Sequence, residues 1–86
     1  MIRVLVADDH PIVRSGIVGL LRTANDIDVV GEAHDGAEAV QLAADLAPDL
    51  VLMDLRMPVR DGVAATAQIV GGGAGEPPKP RVLILT

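Results

Sequence analysis

The sequence predicts an α/β fold with a doubly wound parallel sheet, and three observations support this prediction. Short segments rich in Val, Ile and Leu alternate with segments whose apolar residues recur at helical spacing. The strand-like segments are almost continuously apolar, as in strands that are buried on both faces. Single helices between successive strands favour parallel pairing through right-handed crossovers.

The first strand is predicted at residues 2–7, a mostly apolar segment that ends at two carboxylates. Pro11 suits the first turn of a helix, and apolar residues then recur at helical spacing as far as the polar pair Asn25 and Asp26. This pattern predicts the first helix at residues 11–23.

The alternation continues along the chain. A second strand is predicted at residues 28–33 and an alanine-rich helix, stopped by Pro48, at residues 36–47. A third buried strand is predicted at residues 50–54.

A third helix is predicted at residues 63–70 and a fourth strand at residues 81–85, followed by Thr86. The glycine- and proline-rich residues 71–80 between them predict a loop. Only one strand follows this loop, and a single strand is too short to form a second domain. We therefore expect residues 1–86 to form one domain.

Composition argues against several classes of protein. The formal net charge of -5 argues against binding of nucleic acid by this segment, since that needs clustered Lys and Arg. The sequence has no cysteine, which removes disulfides, thiol nucleophiles and Cys-ligated zinc and agrees with a reducing cytoplasm. Its apolar runs are too short to cross a bilayer. We therefore expect a cytoplasmic segment that contacts neither nucleic acid nor membrane.

Polar residues follow three of the predicted strands. Asp8 and Asp9 follow the first strand, Asp54 ends the third, and Thr86 follows the fourth. Ligands of open α/β sheets bind at the carboxyl ends of strands, so these side chains should converge. Two carboxylates 4 Å apart repel by about 4 kcal/mol at an effective dielectric constant near 20, which favours a bound cation. Oxygen ligands indicate a hard ion, and we expect Mg²⁺.

A carboxylate beside Mg²⁺ at a strand end is suited to phosphoryl transfer, because it can attack phosphorus while the metal offsets charge. Asp54 lies in the middle of the predicted site, which makes it the expected nucleophile. Asp8 and Asp9 are better placed to hold the metal, and Thr86 to donate a hydrogen bond to a phosphoryl oxygen.

Four segments at characteristic spacing form a joint motif: Val6-Ala7-Asp8-Asp9-His10, Leu52-Met53-Asp54-Leu55-Arg56-Met57-Pro58, Asp61-Gly62 and Thr86. Together they resemble the receiver domains of two-component response regulators, most closely the NarL/FixJ subfamily. The resemblance covers the whole chain, and the joint spacing is more specific than any single acid pair.

The resemblance implies a flavodoxin-like (CheY-like) fold and a phosphoacceptor signalling domain rather than an enzyme. It implies that Asp54 accepts the phosphoryl group from the phosphohistidine of a sensor histidine kinase. It further implies that Asp9 and Asp54 ligate Mg²⁺ directly, Asp8 mainly through water, and Arg56 through its backbone carbonyl. Thr86 would be the switch residue that moves toward the phosphoryl group.

The family pattern continues beyond this sequence, to a fifth strand with a phosphoryl-binding lysine and two further helices. Lys79 precedes the fourth strand and does not take the place of that lysine. We therefore expect residues 1–86 to be a truncated receiver domain of four strands and three helices, separate from the DNA-binding output domain that it would control in transcription.

Two other functions remain open. One is a phosphatase of the haloacid-dehalogenase class, whose general acid lies two residues beyond the nucleophile; Arg56 occupies that position and argues against it. The other is a fragment that cannot be phosphorylated and acts only in dimerisation. An open edge at the fourth strand would favour a homodimer or larger assembly, with exchange through the loop at residues 71–80.

Single residues also have simpler interpretations. Asp8 and Asp9 could stabilise the start of the first helix by about 0.3–1 kcal/mol, and Asp54 could be a turn residue. We expect His10 to face solvent at the helix start rather than to bind metal, and Arg14 to be a solvated surface charge.

Overall fold

The computed structural model describes residues 1–54 and 81–84. These ranges contain the predicted alternation of strands and helices. The predicted helix at 63–70, the loop at 71–80, Arg56 and Thr86 lie outside the described residues. The elements are β1 (Ile2–Ala7), α1 (Pro11–Leu21), β2 (Ile27–Ala33), α2 (Gly36–Leu46), β3 (Leu50–Met53) and β4 (Arg81–Ile84).

Both helices end earlier than the sequence predicts. At the end of α1, the backbone N–H and the hydroxyl of Thr23 both donate to the carbonyl of Leu20, at 3.2 and 2.7 Å. This tightens the last turn, as is common where carbonyls lack helical partners. At the end of α2, Ala47 adopts a left-handed backbone with φ 46°, which stops the helix one residue before Pro48.

The four strands form one sheet in the order β2-β1-β3-β4, and every pair is parallel. From β1 the chain crosses to β2 on one side, and from β2 it returns past β1 to β3 on the other side. Because parallel crossovers are right-handed, this reversal places α1 and α2 on opposite faces of the sheet. The doubly wound parallel sheet is therefore confirmed in the described residues.

Alternate residues of β1 supply the two halves of the core. Leu5 and Ala7 face α2, where they pack with residues of that helix such as Ala39. Val4 and Val6 face α1, where they pack with Val18. All of these side chains except Val18 are at most 1% exposed, so β1 is buried on both faces, as its continuous apolar sequence predicts.

None of the helices in residues 1–54 is long and apolar enough to cross a membrane, and residues 81–84 form a strand.

Candidate functional site

The candidate site lies at the carboxyl ends of β1 and β3, the neighbouring strands between which the chain reverses its direction across the sheet. Ala7 pairs with Met53 at these ends, so the residues that follow them come together. The Asp8 amide donates to the carbonyl of Ala33 and the Asp54 amide to the carbonyl of Ala7, each at 3.0 Å. Ligands of open α/β sheets bind at such a reversal point, because the flanking loops part there.

Three carboxylates lie at this edge, and two of them are deeply buried. Asp8 is 4% exposed and Asp54 5% exposed, whereas the Asp9 side chain keeps 24% of its surface exposed. Burial of a charged group costs free energy unless hydrogen bonds or an opposite charge compensate for it. A site that buries carboxylates side by side is therefore suited to a cation.

The side chain of Asp8 contacts His10, in the turn that follows β1. Its Oδ1 accepts a hydrogen bond from the backbone N–H of His10 at 2.8 Å, the local side-chain pattern by which aspartates shape turns. His10 Nδ1 lies 3.3 Å from the same oxygen. The turn from β1 into α1 thus points the Asp8 carboxylate toward the strand ends.

Asp9 offers a buried carboxylate oxygen at the edge of the site. Its Oδ1 is buried and accepts no hydrogen bond within the described part of the chain. His10 Nδ1 lies 2.9 Å away, but this approach does not have the geometry of a hydrogen bond. A buried acceptor without a hydrogen bond is a natural ligand position for a cation.

Four side chains can offer atoms to one ion. Single ligand atoms of Asp8, Asp9, His10 and Asp54 all lie within 4.8 Å of one another. The predicted convergence of Asp8, Asp9 and Asp54 is confirmed, while Arg56 and Thr86 lie outside the described residues. Three carboxylates favour a hard cation that takes oxygen ligands, and the residues present therefore fit Mg²⁺.

His10 was expected to face solvent, and its side chain is indeed 65% exposed. Its Nδ1 nevertheless contacts both Asp8 and Asp9. The sequence could not fix this orientation, because a residue at a helix start can turn its ring either toward the strand end or away from it.

The expectation that Arg14 is a solvated surface charge is wrong. Its side chain is only 20% exposed, and it lies against the site. Its Nη1 donates to the backbone carbonyl of Asp8 at 2.8 Å, and its Nε donates to Glu32 Oε1 at 3.2 Å. One signal could have found it: helical side chains point back toward the helix start, so a long one near the start of α1 reaches the end of β1.

Comparison with known proteins identifies the family. A family model described as the response regulator receiver domain matches residues 4–86. The chain belongs to the response regulator receiver domain family. Receiver domains are signalling domains, so the predicted fold class, resemblance and signalling role are confirmed together.

One similar protein is a transcriptional regulator from Bacillus subtilis. This receiver domain is 49% identical over 86 residues to the transcriptional regulatory protein LiaR of Bacillus subtilis, covering 100% of this chain and 39% of that protein. The receiver domain therefore spans about two fifths of the length of that relative.

Solved structures agree with the observed fold. The response regulator domain of Thermotoga maritima CheB superposes with a TM-score of 0.88 at 37% identity, covering 98% of this chain and 59% of that chain. The signal receiver domain of the putative response regulator NarL from Mycobacterium tuberculosis gives a TM-score of 0.85 at 42% identity, covering 96% and 64%. The predicted resemblance to NarL-type receiver domains agrees with this similarity.

Proposed function

We propose that this receiver domain accepts a phosphoryl group on Asp54 in a Mg²⁺-dependent transfer. The observation that carries the proposal is the position of Asp54, a buried carboxylate at the end of β3 with ligand atoms of Asp8 and Asp9 within 4.8 Å. A nucleophile needs its charge offset while it approaches a phosphoryl group, and this arrangement supports that role.

The reaction is a displacement at phosphorus. A carboxylate oxygen of Asp54 attacks the phosphorus of a phosphohistidine, an O–P bond forms, and the N–P bond breaks. The electron pair of that bond stays on the imidazole nitrogen, and Asp54 becomes an acyl phosphate. The donor would be a sensor histidine kinase, the partner proposed for this chain. Beyond this self-phosphorylation and the hydrolysis of its own acyl phosphate, the chain would not act as an enzyme.

Mg²⁺ would be held by Asp9 and Asp54 directly, by Asp8 mainly through water, and by the backbone carbonyl of Arg56. When bound, it supplies positive charge that offsets the charge of the carboxylates and of the phosphoryl oxygens. The buried Asp9 Oδ1, which accepts no hydrogen bond within the described residues, supports the place of Asp9 in this set. The roles of Arg56 and of Thr86 as the phosphoryl switch rest on the sequence motifs alone.

The larger protein would use this signal to control transcription. We propose that the receiver domain is cytoplasmic and regulates a DNA-binding output domain, which residues 1–86 do not include. The relative LiaR supports this, because it is a transcriptional regulatory protein of which this chain matches 39%.

We also propose self-association between copies of the chain. Several large apolar side chains are exposed in the described residues, among them Ile12 at 88%, Leu20 at 72% and Leu83 at 54%. Association would remove such side chains from water, which favours it. Light scattering at micromolar concentration should therefore give a mass above that of one chain, and a strictly monomeric mass would overturn the proposal.

The proposed phosphoacceptor is tested by intact-protein mass spectrometry after incubation with acetyl phosphate and Mg²⁺. Wild type should gain the mass of one phosphoryl group, Asp54→Asn should not, and EDTA should prevent the gain. The matched control is Asp45→Asn, the same change on the exposed surface of α2, which should be modified like wild type. A folded wild type without an adduct would refute phosphoacceptor function and leave the interaction role.

A further inference from the structure

Arg14 joins three parts of the molecule near the site. It lies at the start of α1, donates from Nη1 to the carbonyl of Asp8 at the end of β1, and donates from Nε to Glu32 on β2. The side chain is 20% exposed, whereas that of Glu32 is 41% exposed. The hydrogen bond to Asp8 is thus the more sheltered of the two.

The acceptor of that bond belongs to Asp8, a residue of the candidate cation site. The carbonyl of Asp8 belongs to the planar peptide unit that joins Asp8 to Asp9. The preceding peptide unit is held as well, because the Asp8 amide donates to the carbonyl of Ala33 at 3.0 Å. Arg14 therefore holds the peptide plane that carries the Cα atoms of both Asp8 and Asp9. It does so without forming a hydrogen bond or ion pair with either carboxylate.

Arginine suits this position because its guanidinium group holds several donors in one rigid plane. Two of them are used here, one toward Glu32 on β2 and one toward Asp8, directly after β1. A lysine has one ammonium group on a flexible stem and cannot reproduce this planar arrangement.

We propose that Arg14 is a positioning residue for the cation site, which orients the Asp8-Asp9 peptide so that both carboxylates face Asp54. The inference rests on the proposed metal-dependent function. Residues that hold metal ligands in place typically contribute about 10–100-fold to metal affinity, although they do not contact the metal.

Binding of Mn²⁺ to the full chain, followed by electron paramagnetic resonance of the free ion, tests the inference without any phosphorylation assay. Arg14→Gln should weaken Mn²⁺ binding about tenfold or more. Arg22→Gln is the matched control, because it makes the same change in charge at an exposed residue at the end of α1. It should bind Mn²⁺ like wild type. Circular dichroism should first confirm that each variant is folded.

Arg14→Lys keeps the charge and serves if Arg14→Gln does not fold. It should also bind Mn²⁺ more weakly than wild type, because charge alone does not orient the peptide. Wild-type affinity in a folded Arg14→Gln or in Arg14→Lys would overturn the inference, as would an equal loss in Arg22→Gln. If wild type itself binds no Mn²⁺, the proposed metal site fails and the inference falls with it.

Discussion

At the scale of single residues, the two helices begin in different ways. At the start of α2, Asp35 Oδ1 accepts a hydrogen bond from the backbone N–H of Glu38 at 2.8 Å, and Glu38 Oε1 accepts one from the N–H of His34 at 2.9 Å. This is a variant of the reciprocal capping box. At the start of α1, the side chain of His10 makes no capping bond and contacts the acids of the site instead.

This difference predicts unequal effects of substitution on stability. Asp35→Ala should lower the free energy of unfolding by about 1 kcal/mol, because it removes the side-chain cap of α2. His10→Ala should change it by much less, since no capping bond is lost. Urea denaturation followed by circular dichroism measures both values. Equal losses in the two variants would contradict this account of the helix starts.

At the scale of elements, β2 and α2 approach closely at one glycine. β2 shifts register against β1 after Val29, and Gly31 then pairs with Leu5. A Cβ atom at Gly31 would lie 2.7 Å from Leu46 Cδ1 on α2 and 3.3 Å from Leu5 Cδ1. The absence of a side chain thus lets the end of α2 pack on the sheet. By contrast, a Cβ atom at Gly16 on α1 would meet nothing within 4 Å.

Alanine at these two glycines should have opposite effects. Gly31→Ala should destabilise the chain by about 1 kcal/mol, because the Leu46 side chain must move to make room. Gly16→Ala should stabilise it by about 0.5–1 kcal/mol, because alanine restricts the unfolded chain and favours helix. Both are measured by urea denaturation. A Gly31→Ala variant as stable as Gly16→Ala would show that α2 does not pack tightly on β2.

At the scale of the whole molecule, one sheet separates two halves of the core, and no aromatic ring contributes to either. Leu5, Val51 and Met53 are fully buried on the α2 side. Small domains have little stability to spare, so the loss of one such side chain removes a large share of the total.

Leu5→Ala should therefore destabilise the chain by about 3 kcal/mol, enough to leave a large unfolded fraction in a marginally stable domain. Leu20→Ala removes the same atoms from a residue that is 72% exposed, and it should change stability by less than about 0.5 kcal/mol. Thermal unfolding followed by circular dichroism compares the two. Similar losses would indicate that Leu20 is covered in solution, for example by a second copy.

The sequence by itself determined the order of elements in the described residues and the three acids at the strand ends. These features follow from local causes: continuous apolar runs, helical spacing, and the position of Asp8, Asp9 and Asp54 directly after such runs. The general rule for open α/β sheets then sufficed to predict that the acids converge.

Only the tertiary structure decided how the site is held together. The strand order, the register shift before Gly31 and the left-handed Ala47 depend on packing between elements. The approach of His10 to the acids and of Arg14 to the Asp8 carbonyl likewise requires α1 to dock on β1 and β2. Such contacts join separate elements and depend on side-chain orientation, so residue type and spacing cannot fix them, whereas periodicity within an element can be read directly.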